Sequence, residues 1–267
     1  PPRCSSPASR RTPRFGWVVV GRFLFDTRIL SGVGLTIALT VLAMAGGVLL
    51  GTVLAVARLS SNPVLATMAR TYIWFFRGTP VLVQLIFWYN IAALYQVISI
   101  GLPFGGPQWV IGSANVLVTP LVAAFLGLAL NEAAYMAEII RGGIQSVDPG
   151  QLDAGRAIGM PPGQLMRRVV LPQAMRVVIP PTGNEVISML KNTSLVSVLA
   201  ISDLLYSAQT IYALNYQTIP LLLVACAWYL LLTTVLTAAQ SRLERHFGRG
   251  FTPRPTRRRD AAAGRQS

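Results

Sequence analysis

Residues 32–57 run Gly-Val-Gly-Leu-Thr-Ile-Ala-Leu-Thr-Val-Leu-Ala-Met-Ala-Gly-Gly-Val-Leu-Leu-Gly-Thr-Val-Leu-Ala-Val-Ala without one ionisable side chain. As a helix rising about 1.5 Å per residue, this stretch is long enough to cross a hydrocarbon core of about 30 Å. Within it, Gly47-Val-Leu-Leu-Gly51 has the spacing that lets a second helix approach the backbone. Glycine is also common in membrane helices, so the sequence leaves that approach open.

Outward from this run, apolar stretches of similar length recur at about 81–100, 116–140, 177–199 and 219–239. Hydrophobic residues make up 53% of the chain and charged residues 12%, about half the charged share (~25%) of a soluble domain. The predicted fold class is all-α: a polytopic membrane protein of five transmembrane helices in the lipid bilayer. Residues 31–240 form the membrane domain, between an N-terminal tail, 1–30, and a basic C-terminal tail, 241–267. Residues 1–14 are expected to be disordered, and 15–30, interrupted by Arg22, Asp26 and Arg28, to lie on the membrane surface without acting as a signal peptide. Pro63 to Phe76 reads as a short interfacial helix, Thr79 as the cap of the second span and 200–218 as a link.

The net charge of +14 does not indicate nucleic acid, because the arginines gather in tails and links and leave the apolar runs nearly free. With five spans, the arginine-bearing segments 58–77, 141–176 and the C-terminal tail share the cytoplasmic side, and the uncharged loop 101–115 lies outside. The N-terminal tail, with six arginines, is then outside unless 15–30 forms a sixth segment. Cys4 and Cys226 lack metal-ligand spacing, and His246 stands alone in the basic tail, so no metal or catalytic group is expected. The sole lysine, Lys191, sits in no phosphate-binding loop, which removes this chain as an ATPase.

Residues 148–172 are polar and contain two short helical patterns. Asp148 is placed to cap a helix begun by Pro149 and Gly159 to end it; a second runs from about Pro162 to Val170 and stops before Pro172. Leu152, Ala157 and Ile158 would offer a small apolar surface to another protein, or the loop could pack on itself. Seven polar residues lie in or beside spans three and four: Asn131, Glu132, Glu138, Asn184, Glu185, Lys191 and Asn192. Glu138 and Arg141, three apart, are read as a structural pair. Asn184, Glu185, Lys191 and Asn192 supply the cation and hydrogen-bonding groups that a zwitterionic solute needs, and mark the fourth span either as the pathway or as a polar seam between subunits.

The long loop resembles the coupling motif of ABC importer permeases: Glu-Ala-Ala, three residues, Gly, nine residues, Ile-x-Leu-Pro. Here the positions are Asp153-Ala154-Gly155, Gly159 and Val169-Val170-Leu171-Pro172. Asp153 replaces Glu and Gly155 replaces the second Ala. Phe76-Arg77-Gly78-Thr79-Pro80, Ala134 to Ile144, and Gly183-Asn184-Glu185 with Leu190 to Leu195 are similar to permeases for polar amino acids such as histidine, glutamine, glutamate and arginine. The resemblance implies an ATP-driven importer in the bacterial cytoplasmic membrane. ATPase subunits would dock on Leu152, Asp153, Ala154, Gly155, Ala157, Gly159, Leu171 and Pro172. It also implies a second permease subunit, identical or a sister chain, an extracytoplasmic solute-binding protein, and no cofactor on this chain, ATP being held by the partner. An ion-coupled secondary amino acid carrier is the alternative; it would also show intramembrane carboxylates but has no use for the elbow.

Overall fold

The computed structural model describes residues 16–101 and 108–247. The expected disorder of residues 1–14, and the tail from 248 on, lie outside the described residues. In chain order the elements are α1 (Trp17–Phe23), α2 (Thr27–Leu59), α3 (Pro63–Gly78), α4 (Val81–Tyr89), α5 (Ile91–Leu94), a hairpin of β1 (Val97–Gly101) and β2 (Gln108–Ser113), α6 (Ala114–Leu117) and α7 (Pro120–Gln145). They continue with α8 (Pro149–Ala157), α9 (Pro162–Leu165), one π turn (Met166–Val170), α10 (Leu171–Asn192), a 3-10 stretch (Thr193–Leu199), α11 (Leu204–Asn215) and α12 (Thr218–Phe247). Three helices, α2, α7 and α12, are each long and apolar enough to cross a membrane, and the run Pro162–Leu199 with α11, bent by 45° at the break between them, is long and apolar enough when the two are taken together.

The first span begins at Thr27, ahead of the expected Gly32. Asp26 and Arg28, read as interruptions, form its cap: Asp26 Oδ1 accepts from the Arg28 N–H at 2.9 Å and from its Nε at 3.1 Å. The helix expected over 81–100 does not form as one piece. α4 stops at Tyr89, where Asn90 Nδ2 donates back to the Ile86 carbonyl at 2.8 Å. Beyond α5 the short β-branched run from Val97 pairs antiparallel with β2, with a bulge between Ile98 and Ser99. The preceding stretch, expected to lie at the interface, instead enters the bundle as α3. Its Tyr72 hydroxyl donates to the Leu130 carbonyl of α7 at 2.9 Å. Thr79 closes α3 rather than opening α4, its hydroxyl donating to the Phe75 carbonyl at 2.9 Å.

Two further expectations are corrected by helices that run on. Pro172 does not halt the helix before it, because the π turn over Met166–Val170 widens the backbone where the proline ring would strike a carbonyl, and Gln173 Nε2 caps the Val169 carbonyl at 3.1 Å. Pro180 and Pro181 likewise sit inside α10, with the Pro180 carbonyl taken up by Gln240 Nε2 at 3.2 Å. The link expected over 200–218 holds α11. Asp203 caps it by accepting from the Tyr206 and Leu205 N–H groups, and Tyr216, at φ 59, closes it. α12 extends to Phe247, so the basic tail starts as helix.

The core is built on the seam between α2 and α7. A Cβ on Gly47 would lie 2.5 Å from Glu132 Cγ, and one on Gly51 would lie 2.7 Å from Met136 Cβ and 2.9 Å from the Ala133 carbonyl. Small residues thus bring two backbones together where lipid supplies no hydrophobic drive and packing must hold the helices. Leu39, Ala43 and Met44 of α2 then bury with Ala124, Leu128 and Met136 of α7, and Leu85, Met189 and Val196 close the cluster. Substituting Gly51→Leu is expected to destabilise the protein by about 1–3 kcal/mol or prevent folding. Gly34→Leu, where nothing lies within 4 Å, should be neutral; thermal unfolding in detergent, read by size-exclusion chromatography, compares them.

Candidate functional site

Two regions collect the functional residues: the elbow at the cytoplasmic end and a polar cluster halfway along α7. In the elbow, Asp148 Oδ1 accepts from the Gly150 N–H at 2.7 Å and Pro149 occupies the first turn, so α8 starts where the sequence places its cap. Gly159 adopts φ 78, a left-handed conformation that suits glycine, and its N–H returns to the Arg156 carbonyl at 2.9 Å. The chain then reverses into α9.

Leu152 does not contribute to an outward surface; it turns inward against Val147, Val170 and Ala174. The exposed face of α8 carries Asp153, Ala154, Arg156 and Ala157, followed by Ile158 at 78% exposure. Asp153 and Arg156 form an ion pair of 3.1 Å, exposed on both sides and therefore of little worth to stability. Gly155 is buried: a Cβ there would overlap Leu165 Cδ1. The glycine at this position is a packing requirement, since it seats α8 on α9. Leu171 and Pro172 are exposed, and Leu171 lines an apolar cleft of about 350 Å³ between α7 and α10 with Ile144, Ala174 and Met175.

The four polar residues of α10 are not gathered at one place. Asn184 is exposed and accepts from Gln240 Nε2 of α12 at 3.1 Å, while the same amide donates to Glu244 at 2.8 Å. Lys191 is exposed, and its carbonyl accepts from the Ser194 hydroxyl at 2.7 Å. Asn192, half-buried, leads into the 3-10 stretch. Glu185 alone turns inward, within charge range of Glu132 on α7 and Arg77 on α3. On α7, Glu138 and Arg141 form a two-pronged pair at 3.0 and 2.6 Å, and Arg141 also reaches Gln145. Arg58 and Arg77 add positive charge near Glu138.

The sequence had placed Glu132 among the intramembrane polar groups but assigned the pathway to the fourth span. In the structure Glu132 is the central group. It is 3% exposed, it lies over Gly47, and its Oε1 meets no hydrogen-bond donor among the described residues. Around it the polar groups are braced. Asn131 Nδ2 donates to the Phe76 carbonyl at 2.8 Å and to Gln84 Oε1 at 3.3 Å. Gln84 Nε2 in turn holds Thr79 Oγ1 at 2.7 Å and the Phe76 carbonyl at 3.1 Å. This satisfies the break between α3 and α4, which would otherwise leave bare carbonyls in the bundle. Arg77, expected in a loop, leaves from this break and stacks 5.2 Å from the Tyr135 ring. The arrangement is an unpaired buried carboxylate beside a second carboxylate, in a frame otherwise hydrogen-bonded. The sequence signal was a glutamate within the second half of an apolar run; the glycine of α2 over it shows only in the fold.

Residues 47–249 match the model of the family described as binding-protein-dependent transport system inner membrane component. The chain is 49% identical over 250 residues to the arginine transport system permease protein ArgU of Corynebacterium glutamicum, covering 93% of this chain and 77% of the relative. It is 36% identical over 211 residues to the nopaline transport system permease protein NocM of Agrobacterium fabrum, covering 79% and 83%. Among solved structures it resembles an amino acid ABC transporter crystallised with histidines, with a TM-score of 0.72 and 35% identity, covering 85% of this chain and 98% of that one.

Gly155→Ala separates packing from propensity. Alanine would strengthen an isolated helix by about 1 kcal/mol, but the Leu165 contact is expected to reverse the sign. Faster amide hydrogen exchange over residues 149–165 should result, and Gly155→Ala with Leu165→Ala should restore protection.

Proposed function

The chain belongs to the family of binding-protein-dependent transport system inner membrane components, and from that we propose that it is the permease subunit of an ATP-driven importer of polar amino acids, foremost those with a cationic side chain. It is a multi-pass protein of the cytoplasmic membrane, and its family works with an ATPase partner. In this reading the chain is not itself an enzyme and binds no cofactor. ATP is bound and hydrolysed by subunits seated on Asp153, Ala154, Ala157 and Ile158, whose exposure and rigid turn at Gly159 support that use. A second permease subunit, the same chain or a sister, completes the pathway, and an extracytoplasmic solute-binding protein delivers the substrate.

The observation that carries the substrate class is Glu132. A carboxylate this deep, with one oxygen unpaired and Glu185 nearby, is costly to bury alone. A passing guanidinium or ammonium group would offset that cost during transit. Arg77, which lies over the Tyr135 ring, supplies a cation for the substrate carboxylate. The arginine and nopaline permeases among the relatives favour the same class. Lys191 and Asn184, exposed on the other side of α10, fit contact with the second permease subunit better than contact with solute.

The test is reconstitution into liposomes with the ATPase and binding protein, following ATP-dependent uptake of labelled arginine and glutamine. Glu132→Gln is expected to lower arginine uptake about ten-fold, the loss of a charged hydrogen bond of about 1.5 kcal/mol, and to leave glutamine uptake less affected. Asp153→Arg should abolish both by unseating the ATPase. Uptake by the chain alone under an ion gradient would overturn the importer reading in favour of a secondary carrier. An unchanged arginine preference in Glu132→Gln would remove only the substrate assignment.

A further inference from the structure

The hairpin of β1 and β2, at the end of the molecule opposite the elbow, has no role in the importer reading. Among the described residues its main contact beyond itself is with α6. Apart from Ser113, its described side chains are apolar and open to the surroundings: Val97 is 51% exposed, Trp109 67% and Ile111 51%, with Leu94 and Tyr95 just before the hairpin at 66% and 63%. A lone two-stranded hairpin is at best marginally stable in water, so these side chains need a cover.

Charge decides which cover. Residues 78–131, on both sides of the hairpin, contain no Asp, Glu, Lys, Arg or His, whereas every cytoplasmic connection carries arginine. A docking face for a soluble protein that must bind and leave would keep an ordinary polar share, because such interfaces are no more apolar than the rest of a surface. A surface with tryptophan and tyrosine, aliphatic neighbours and no charge matches the zone where aromatic rings gather between headgroups and hydrocarbon. Depth is bounded from the other side by the backbone. Among the described residues the hairpin has two strands, so each has an outer edge of unpaired N–H and C=O groups, which forbids the hydrocarbon core but is satisfied among headgroups.

We propose that the β1–β2 hairpin is a membrane-surface element, seated in the headgroup region of the outer leaflet with Trp109 and Ile111 directed into the lipid. It anchors the outer end of α7 laterally and leaves the mouth of the pathway free for the binding protein. The two strands feed directly into α6 and then α7, so the anchor sits one short helix away from the span that carries Glu132.

The test uses the full transporter in nanodiscs, in a background with Cys4→Ser and Cys226→Ser, carrying Ile111→Cys or Trp109→Cys labelled with an environment-sensitive fluorophore. Retained monodisperse elution checks the fold of each variant. The expected result is blue-shifted emission, quenched more by nitroxides about 5–10 Å below the lipid surface than by nitroxides at the bilayer centre, and unchanged by saturating binding protein. Water-like emission quenched freely by iodide would overturn the proposal. Shielding that appears only on adding binding protein would overturn it in favour of a docking face. Shielding that persists in detergent and is lost on dilution would overturn it in favour of contact with a second copy.

Discussion

The close contact of α2 with α7 is the constraint on which the remaining structure depends. Gly47 and Gly51 leave no room for a β-carbon against Glu132, Ala133 and Met136, so the two backbones meet directly. That closeness fixes the face α7 shows to α2, and therefore the faces left for α3, α4 and α10. It also buries the stem of Glu132 beneath a glycine, holding a carboxylate at mid-depth where a bulkier residue at 47 would force it elsewhere. The packing that makes the bundle and the placement of its one unsatisfied carboxylate oxygen are the same contact.

Against that seam, polar side chains act mostly as fasteners for irregular backbone. Gln84 and Asn131 tie the carbonyl groups exposed at the break between α3 and α4. Gln173 serves the π turn, and Gln240 serves the carbonyl before Pro181. Asp203 and Thr36 cap α11 at the bend that follows the 3-10 stretch. Each departure from regular helix has a named side chain beside it, as a medium without water requires. Glu132 Oε1 and the Tyr229 hydroxyl are the buried side-chain exceptions among the described residues.

What the sequence made legible divides along physical lines. The cap at Asp148 and the turn at Gly159 were readable because each rests on local chemistry, whereas the approach at Gly47 and Gly51 stayed open because it depends on a partner helix. Pro172 misled, since proline marks where a helix loses a donor but not whether a π turn will compensate. The expected second span failed because hydrophobicity alone cannot tell a helix from a hairpin where β-branched residues cluster, as they do after Gln96. α3 looked interfacial because its arginines were weighed as loop charge, while its buried side, Ala69, Ile73 and Phe76, was set by partners far along the chain. The pathway residues were divided among different neighbours for a similar reason: a spacing of seven shows that Asn184 and Lys191 share a face, but not which helix that face meets.

The π turn at Met166–Val170 has a geometric consequence for how force would travel. An extra residue in a helical turn advances the phase of all that follows by about 100° while leaving the axis continuous. α9, the π turn and α10 are therefore one rod with a fixed twist set between its ends, and α8 joins it through the reversal at Gly159 and the seat of Gly155 on Leu165. The face of α9 that carries Leu165 and the face of α10 that carries Glu185 keep a constant angular offset. A partner that displaced α8 would act on this rod through the Leu165 contact, and a turn of the rod at that end would turn Glu185 with it. Removing one residue from the turn would leave both ends intact and misalign them.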